Sequence, residues 1–153
     1  MAADGREDGD WPQMNADERR SERQGTTERI IGVFYEVYNE LGPGFLESVY
    51  ESSMTIALRA AGLEVTVQAL VPVYFRGVLV GEFRADLVVD QSVLLELKAA
   101  RAIEPAFEAQ ILNYLRATPI EIGLLLNFGP RPEVRRFAYS NARKRPPRPT
   151  DAQ

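Results

Sequence analysis

Two acids and a lysine interrupt the valine and leucine runs of the segment DLVVDQSVLLELK, residues 86–98. Burying an unpaired charge is costly, so Asp86, Glu96 and Lys98 need either solvent or a compensating partner. Read as a hairpin, the segment places Glu96 and Lys98 two residues apart on one strand and therefore on one face. The turn decides where Asp86 falls. A two-residue loop, Asp90-Gln91, sets Asp86 opposite Leu95. A three-residue loop, Asp90-Gln91-Ser92, or a bulge of the same effect, sets it across from Glu96, with Cβ atoms about 5 Å apart. Two like charges at that separation require a proton or a cation between them. Such a pair suits Mg²⁺ or Mn²⁺, which take oxygen ligands and keep several waters, and the Leu97 carbonyl is a natural third ligand. Lys98 beside the ion could orient or deprotonate a water, or stabilise charge on a phosphate oxygen. The competing reading is a solvent-facing strand carrying an ordinary Asp/Glu–Lys ion pair.

The elements that would position these residues follow from periodicity. Residues 1–25 are polar without a sustained hydrophobic period and are expected to be disordered. From Thr26 or Thr27, a plausible N-cap, Ile30, Phe34, Val37, Tyr38 and Leu41 keep helical spacing. GPG at 42–44 ends that helix. A second helix follows, with Leu46, Val49, Tyr50, Ser53, Met54, Ala57, Leu58 and Ala61 inward and Gly62 at its end. The period then changes to two, giving strands at 65–75, 78–89 and 93–98, with a turn at Arg76-Gly77. Pro72 suggests an edge or a bulge. Residues 104–117 form a helix stopped by Thr118-Pro119, 120–128 a fully buried strand, and 133–139 a last edge strand. The order ααβββαββ describes an α/β domain over 26–140, with a mixed β-sheet flanked by helices and a helical crossover into the buried strand. Residues 141–153 form a basic, Pro-rich tail.

An acid followed after about ten residues by Glu-x-Lys on the next strand resembles the PD-(D/E)XK nuclease superfamily, with Ala85 in place of the proline. Two further stretches strengthen the likeness. LGPGFLESVYE (41–51) contains Gly44-x-x-Glu47-x-x-Tyr50 and is similar to the signature of the GxxExxY family, a bacterial branch of that superfamily. EAQILNYLRAT (108–118) contains Gln110-x-x-x-Tyr114 and resembles the QxxxY motif of RecB-like nucleases. The likeness covers roughly residues 27–139, where FRADLVV, LELKA and GLLLNFG also match in order.

This resemblance implies a restriction-endonuclease-like core and a Mg²⁺- or Mn²⁺-dependent phosphodiesterase acting on DNA. Asp86, Glu96 and the Leu97 carbonyl would hold the metal and Lys98 would position the attacking water. Glu47, one helical turn from Tyr50, would assist at the metal or one of its waters, unless it is simply a first-turn acid favoured by the helix dipole. Gln110 and Tyr114 would bind phosphate or set Lys98, unless Tyr114 is a core aromatic with its hydroxyl at the rim. Arg84 and Tyr50 are the candidate substrate-binding side chains, although Arg84 could equally pair with an acid. Tyr38 and Phe107 stand where family members often carry histidine, which puts full activity in question.

Composition narrows the chemistry. The chain has no cysteine and no histidine, which excludes disulfides, thiolate or histidine catalysis and Cys- or His-ligated metal. No apolar run approaches the roughly 18 residues of a membrane span, and the acidic start is unlike a secretory signal, so a soluble cytoplasmic protein is expected. The net charge is −4, but residues 129–153 hold seven bases against two acids. The acidic body argues against passive, charge-driven binding of nucleic acid, while a cation in the site would screen its acids. The basic tail could touch phosphates or be merely solvated. Three functional readings stand: a metal-dependent nuclease, a catalytically silent module that binds nucleic acid or a protein partner, and a homodimer joined through 133–139 or the tail.

Overall fold

The computed structural model describes residues 16–144, in the order α1 (Ala16–Leu41), α2 (Glu47–Ala60), β1 (Val65–Phe75), β2 (Val78–Val89), β3 (Val93–Lys98), α3 (Pro105–Ala117), β4 (Ile122–Phe128), β5 (Pro132–Ala138) and a 3₁₀ turn (Asn141–Arg143). The five strands form one mixed sheet in sequential order. All neighbours are antiparallel except β3 and β4, which run parallel and are joined through α3. This is the order ααβββαββ of a restriction-endonuclease-like core. Among the described residues no helix is long and apolar enough to cross a membrane.

The sheet has a core on each face. On one, α1 and α2 contribute Ile30, Phe34, Tyr50, Met54 and Leu58 against Leu87, Leu95, Leu97, Leu124, Leu126 and Phe128. On the other, Ile111, Tyr114 and Leu115 of α3 cover Val88, Leu94 and Leu125. Strand β4, covered on both faces, is buried at every position, as its unbroken apolar run requires. Burial of each of these side chains stabilises the fold by roughly 1.5–3 kcal/mol.

Several local expectations hold for physical reasons. Gly62 takes φ +85 and closes α2, with the Leu63 N–H returning to the Leu58 carbonyl. Arg76 and Gly77 both take positive φ in the two-residue hairpin turn. β1 is an edge strand, and its ladder shifts register between Val73 and Tyr74, next to Pro72.

Other expectations need correction. Helix α1 starts at Ala16, inside the segment expected to be disordered; residues 1–15 lie outside the described residues. The segment ADERRSERQG is rich in good helix formers, and Arg23 ties it to the body through a 3.1 Å ion pair with Glu121. Thr27 is therefore no N-cap: it is buried mid-helix, donating its hydroxyl to the Arg23 carbonyl. At the other end the fold runs past residue 140. The Asn141 N–H bonds Glu121, and the Lys144 ammonium bonds the carbonyls of Thr118 and Ile120. Lys144 is thus docked rather than solvated, and the remainder of the tail lies outside the described residues. Leu46 is the exposed residue preceding α2, not part of its inner face.

Candidate active site

The β2–β3 turn sets the site. Asp90 and Gln91 both adopt positive φ, and the Ser92 N–H returns to the Val89 carbonyl. The register pairs Val89 with Val93 and Leu87 with Leu95, the parity of a three-residue loop. Asp86 therefore lies opposite Glu96. The regular ladder stops there, and side chains continue it. The Leu97 N–H donates to Asp86 Oδ2 at 2.7 Å, while the Asp86 N–H donates to Glu96 Oε1 at 3.2 Å. Each carboxylate spends one oxygen on the backbone of the neighbouring strand. Among the described residues no hydrogen bond engages the other oxygen of either group.

The ribbon also changes face at this point. Val65 and Leu87 lie in the core under α1 and α2, whereas Val71 and Ala85, of the same parity, lie in the core under α3. The residue that absorbs the switch is Gln68, at φ +52, opposite Asp86 between the pairs Val67–Leu87 and Ala69–Ala85. A non-glycine residue in this region is strained, and it persists because its surroundings hold it. Its side-chain amide donates to Glu51 at 2.9 Å, and its carbonyl accepts from the Arg84 guanidinium at 3.2 Å. Arg84 thus pairs with neither acid of the hairpin.

Electrostatics mark the acids. Glu96 is 3% exposed. Burial, and then the neighbouring Asp86, push its carboxyl up to about 8, against the Asp86 N–H and Lys98. Burial also raises Asp86, opposed by the Leu97 N–H, with Glu51 and Glu47 pushing the same way and Lys98 opposing. Without a cation the pair therefore retains a proton around neutral pH. The hard oxygen donors, their free lone pairs and the surplus of negative charge fit a Mg²⁺- or Mn²⁺-sized ion that keeps part of its water shell. No group of three or more acidic side chains is gathered to hold an ion among the described residues. Glu47, expected to assist at the metal or one of its waters, raises both carboxyls of the pair through its charge.

The other candidate residues are distributed around this pair. The Lys98 ammonium sits 4.7 Å from the centroid of the Phe107 ring, so the residue standing at a frequent histidine position is in direct contact with the lysine. Gln110 donates to the Tyr114 hydroxyl at 3.0 Å. Tyr114 is buried, and its hydroxyl is raised by that burial and then by the charges of Glu96 and Asp86, against the Gln110 bond. It is both a core aromatic and a neighbour of the acids.

Tyr50 does not face substrate. It is fully buried, stacked on Phe128 at 4.1 Å between centroids. Its hydroxyl donates to the Gly42 carbonyl and accepts the Phe45 N–H, fastening the loop before α2. Tyr38, at the other frequent histidine position, donates to the carbonyls of Gly129 and Pro130 and so holds the β4–β5 connection. Two residues near the acids were not anticipated, Glu51 and Gln68. Glu51 was within reach of a sequence argument, since it follows Glu47 by one i,i+4 step; Gln68 carries no local signal.

A family model described as the PD-(D/E)XK nuclease superfamily matches residues 24–137. No curated protein matches the chain. Among solved structures, one described as "Crystal structure of SSO0001" is similar at 20% identity with a TM-score of 0.49. The similarity covers 61% of this chain and 50% of that one, so this chain spans about half of that protein's length.

Proposed function

Because the chain belongs to the PD-(D/E)XK nuclease superfamily, we propose that it is a divalent-metal-dependent phosphodiesterase of the GxxExxY branch, acting on DNA. The observation that carries this reading is the reciprocal seating of Asp86 and Glu96 on each other's strands, with Lys98 two residues beyond Glu96. Asp86 and Glu96 would hold Mg²⁺ or Mn²⁺, with the Leu97 carbonyl available beside them and Glu47 acting through a water. The ion, when bound, supplies charge neutralisation at the scissile phosphate and acidifies water. The chain's own part is positioning. Hydrogen bonds from Leu97 and Asp86 hold the two carboxylates where they are, so no reorganisation is needed when phosphate arrives. Lys98, steadied by Phe107, offers its ammonium to the attacking water or a phosphate oxygen. Gln110 orients the Tyr114 hydroxyl, a donor for a phosphate oxygen next to the acids. Arg84, exposed and donating to the Gln68 carbonyl, is the candidate outer phosphate contact.

A second reading, a silent nuclease-fold module that binds nucleic acid or a protein partner, draws on the Lys98–Phe107 contact, which occupies the lysine with a ring that cannot transfer a proton. One experiment separates the two. Single- and double-stranded DNA are incubated with wild type, Asp86→Asn and Lys98→Met in Mg²⁺, in Mn²⁺ and in chelator, alongside calorimetric titration of Mn²⁺. The nuclease reading expects metal-dependent cleavage that falls at least about 100-fold in both variants. Mn²⁺ binding without cleavage of any substrate supports the silent module. Absence of Mn²⁺ binding by wild type refutes the metal site itself.

A further inference from the structure

β2 runs well past its pairing with β3: only Leu87, Val88 and Val89 pair with β3, while the rest of the strand pairs with β1 alone. Residues 69–86 therefore form a two-stranded ribbon that leaves the sheet at Asp86. One face of this ribbon continues the face of the acids. Leu94 lies in the core under α3, and Glu96 and Lys98 follow it at the strand period of two. On the ribbon, Val71 and Ala85 lie in that same core, and Phe83, paired with Val71, sets its ring 6.1 Å from that of Tyr114. β1 runs on from Val71 to Phe75 with no positive φ, so Val73 and Phe75 keep to this face. The register shift places its extra residue, Val80, on β2, after which Phe75 pairs with Val78. Beyond Tyr114 the face thus carries Phe83, Phe75 and Val78, which are 49%, 59% and 63% exposed. The Phe83 ring leans over Gly81, where an added Cβ would come within 3.3 Å of it. The Arg76 guanidinium lies 4.9 Å from the centroid of the Phe75 ring. Two exposed rings, on rungs about 13 Å apart, lead away from the acid pair.

We propose that this face is a base-stacking track that brings single-stranded DNA to the acid pair; the proposal rests on the nuclease reading and adds to it the form of the substrate. Three observations select that occupant. The track is continuous with the site. Its first ring pairs with Tyr114, a neighbour of both acids, so a strand whose phosphate reaches the acids has its adjoining nucleotides over Phe83. The charge has the right sign: Arg76 and Arg84 outnumber Glu82 on the ribbon, and Arg76 stands against a ring, where a base and its phosphate can be held together. The side chains suit unpaired bases. A duplex keeps its bases stacked on one another and offers these rings sugar and phosphate, whereas the bases of a single strand can turn out and lie on them. Tyr74, Leu79 and Val80, on the opposite face, take no part in this track.

The test is fluorescence anisotropy with the full chain in chelator, so that no strand is cut. The labelled probes are an oligodeoxythymidylate, an abasic strand of the same length and a duplex of that length. Wild type is compared with Phe75→Ala, Phe75→Trp, Phe83→Ala and, on the opposite face, Tyr74→Ala. Phe75 is exposed, so its variants are expected to fold, as circular dichroism would show. Wild type should bind the oligodeoxythymidylate at least about tenfold more tightly than either other probe. Phe75→Ala and Phe83→Ala should each lose at least about fivefold on it and nothing on the abasic strand. Phe75→Trp and Tyr74→Ala should bind as wild type does. Failure to bind the oligodeoxythymidylate, equal binding of the abasic strand, a preference for duplex, or alanine variants that bind like wild type overturns the proposal. So does a wild-type dimer in sedimentation that Phe75→Ala dissociates, which assigns the face to a second copy. The nuclease reading fails separately. Ring-dependent binding without Mg²⁺-dependent cleavage keeps the track and removes the enzyme, and cleavage confined to duplex does the reverse.

Discussion

The raised carboxyl of Glu96 should make the metal-free protein sensitive to alkali, and replacing it with glutamine should reduce that sensitivity. In the unfolded chain Glu96 titrates near 4.5; in the folded state burial and Asp86 hold it at about 8. A carboxyl raised by folding stabilises the native state while protonated. Its contribution is whole below the unfolded value and is lost as pH climbs through the folded one. At about 1.36 kcal/mol per unit, the loss between roughly pH 5.5 and pH 8 comes to about 3 kcal/mol. For a chain of this size that corresponds to a fall in Tm of roughly 10 °C. Glutamine keeps the acceptor for the Asp86 N–H and cannot ionise. Glu96→Gln should therefore lose less stability than wild type over this interval, keeping the slope from Asp86, which is raised in the same direction. The assay is urea and thermal unfolding by circular dichroism at both pH values, with chelator and then with Mg²⁺. Mg²⁺ should restore wild type at the higher pH and leave the variant unchanged. The reasoning is refuted by a chelated wild type that is equally stable at both pH values, or by a glutamine variant that loses as much stability as wild type.

Two further substitutions test the frame around the acids. A Cβ at Gly129 would overlap the Ala100 carbonyl oxygen and lie 2.9 Å from Asn127 Nδ2, so Gly129→Ala should cost about 3 kcal/mol in urea unfolding and loosen the segment after Lys98; a cost under about 1 kcal/mol would show that the loop yields freely. At Gln68, where φ is +52, glycine relieves strain that valine aggravates. Gln68→Gly should melt above Gln68→Val by the equivalent of about 1–2 kcal/mol, and equal melting would mean that the backbone there is not constrained.

The register of the β2–β3 hairpin was legible because the side-chain period of a strand is two: once the loop is odd, Asp86 and Glu96 must face one another. The burial of β4 was equally legible from its run of apolar residues, IGLLLNF. Three features were not, for distinct reasons. The first turns of α1 carry charged helix formers with no apolar stripe, so their order depends on a distant ion pair with Glu121 rather than on local pattern. Residues three apart on a helix are separated by roughly 60° around its axis. That angle is enough to leave Glu47 at the rim while Tyr50 goes beneath it onto Phe128. Gln68 adopts its strained backbone because the ribbon changes face as it departs from β3, a tertiary event with no signature in neighbouring residues.

The exchange of hydrogen bonds between Asp86 and Glu96 gives the site a built-in spectroscopic gauge. The amide protons of Asp86 and Leu97 point not at carbonyls, as in an ordinary rung, but at the two carboxylates themselves. Their chemical shifts and exchange rates should follow the charge on those oxygens, whether a proton or an ion sets it. Two backbone resonances would thus report the occupancy of the centre in real time, with no label and no substrate.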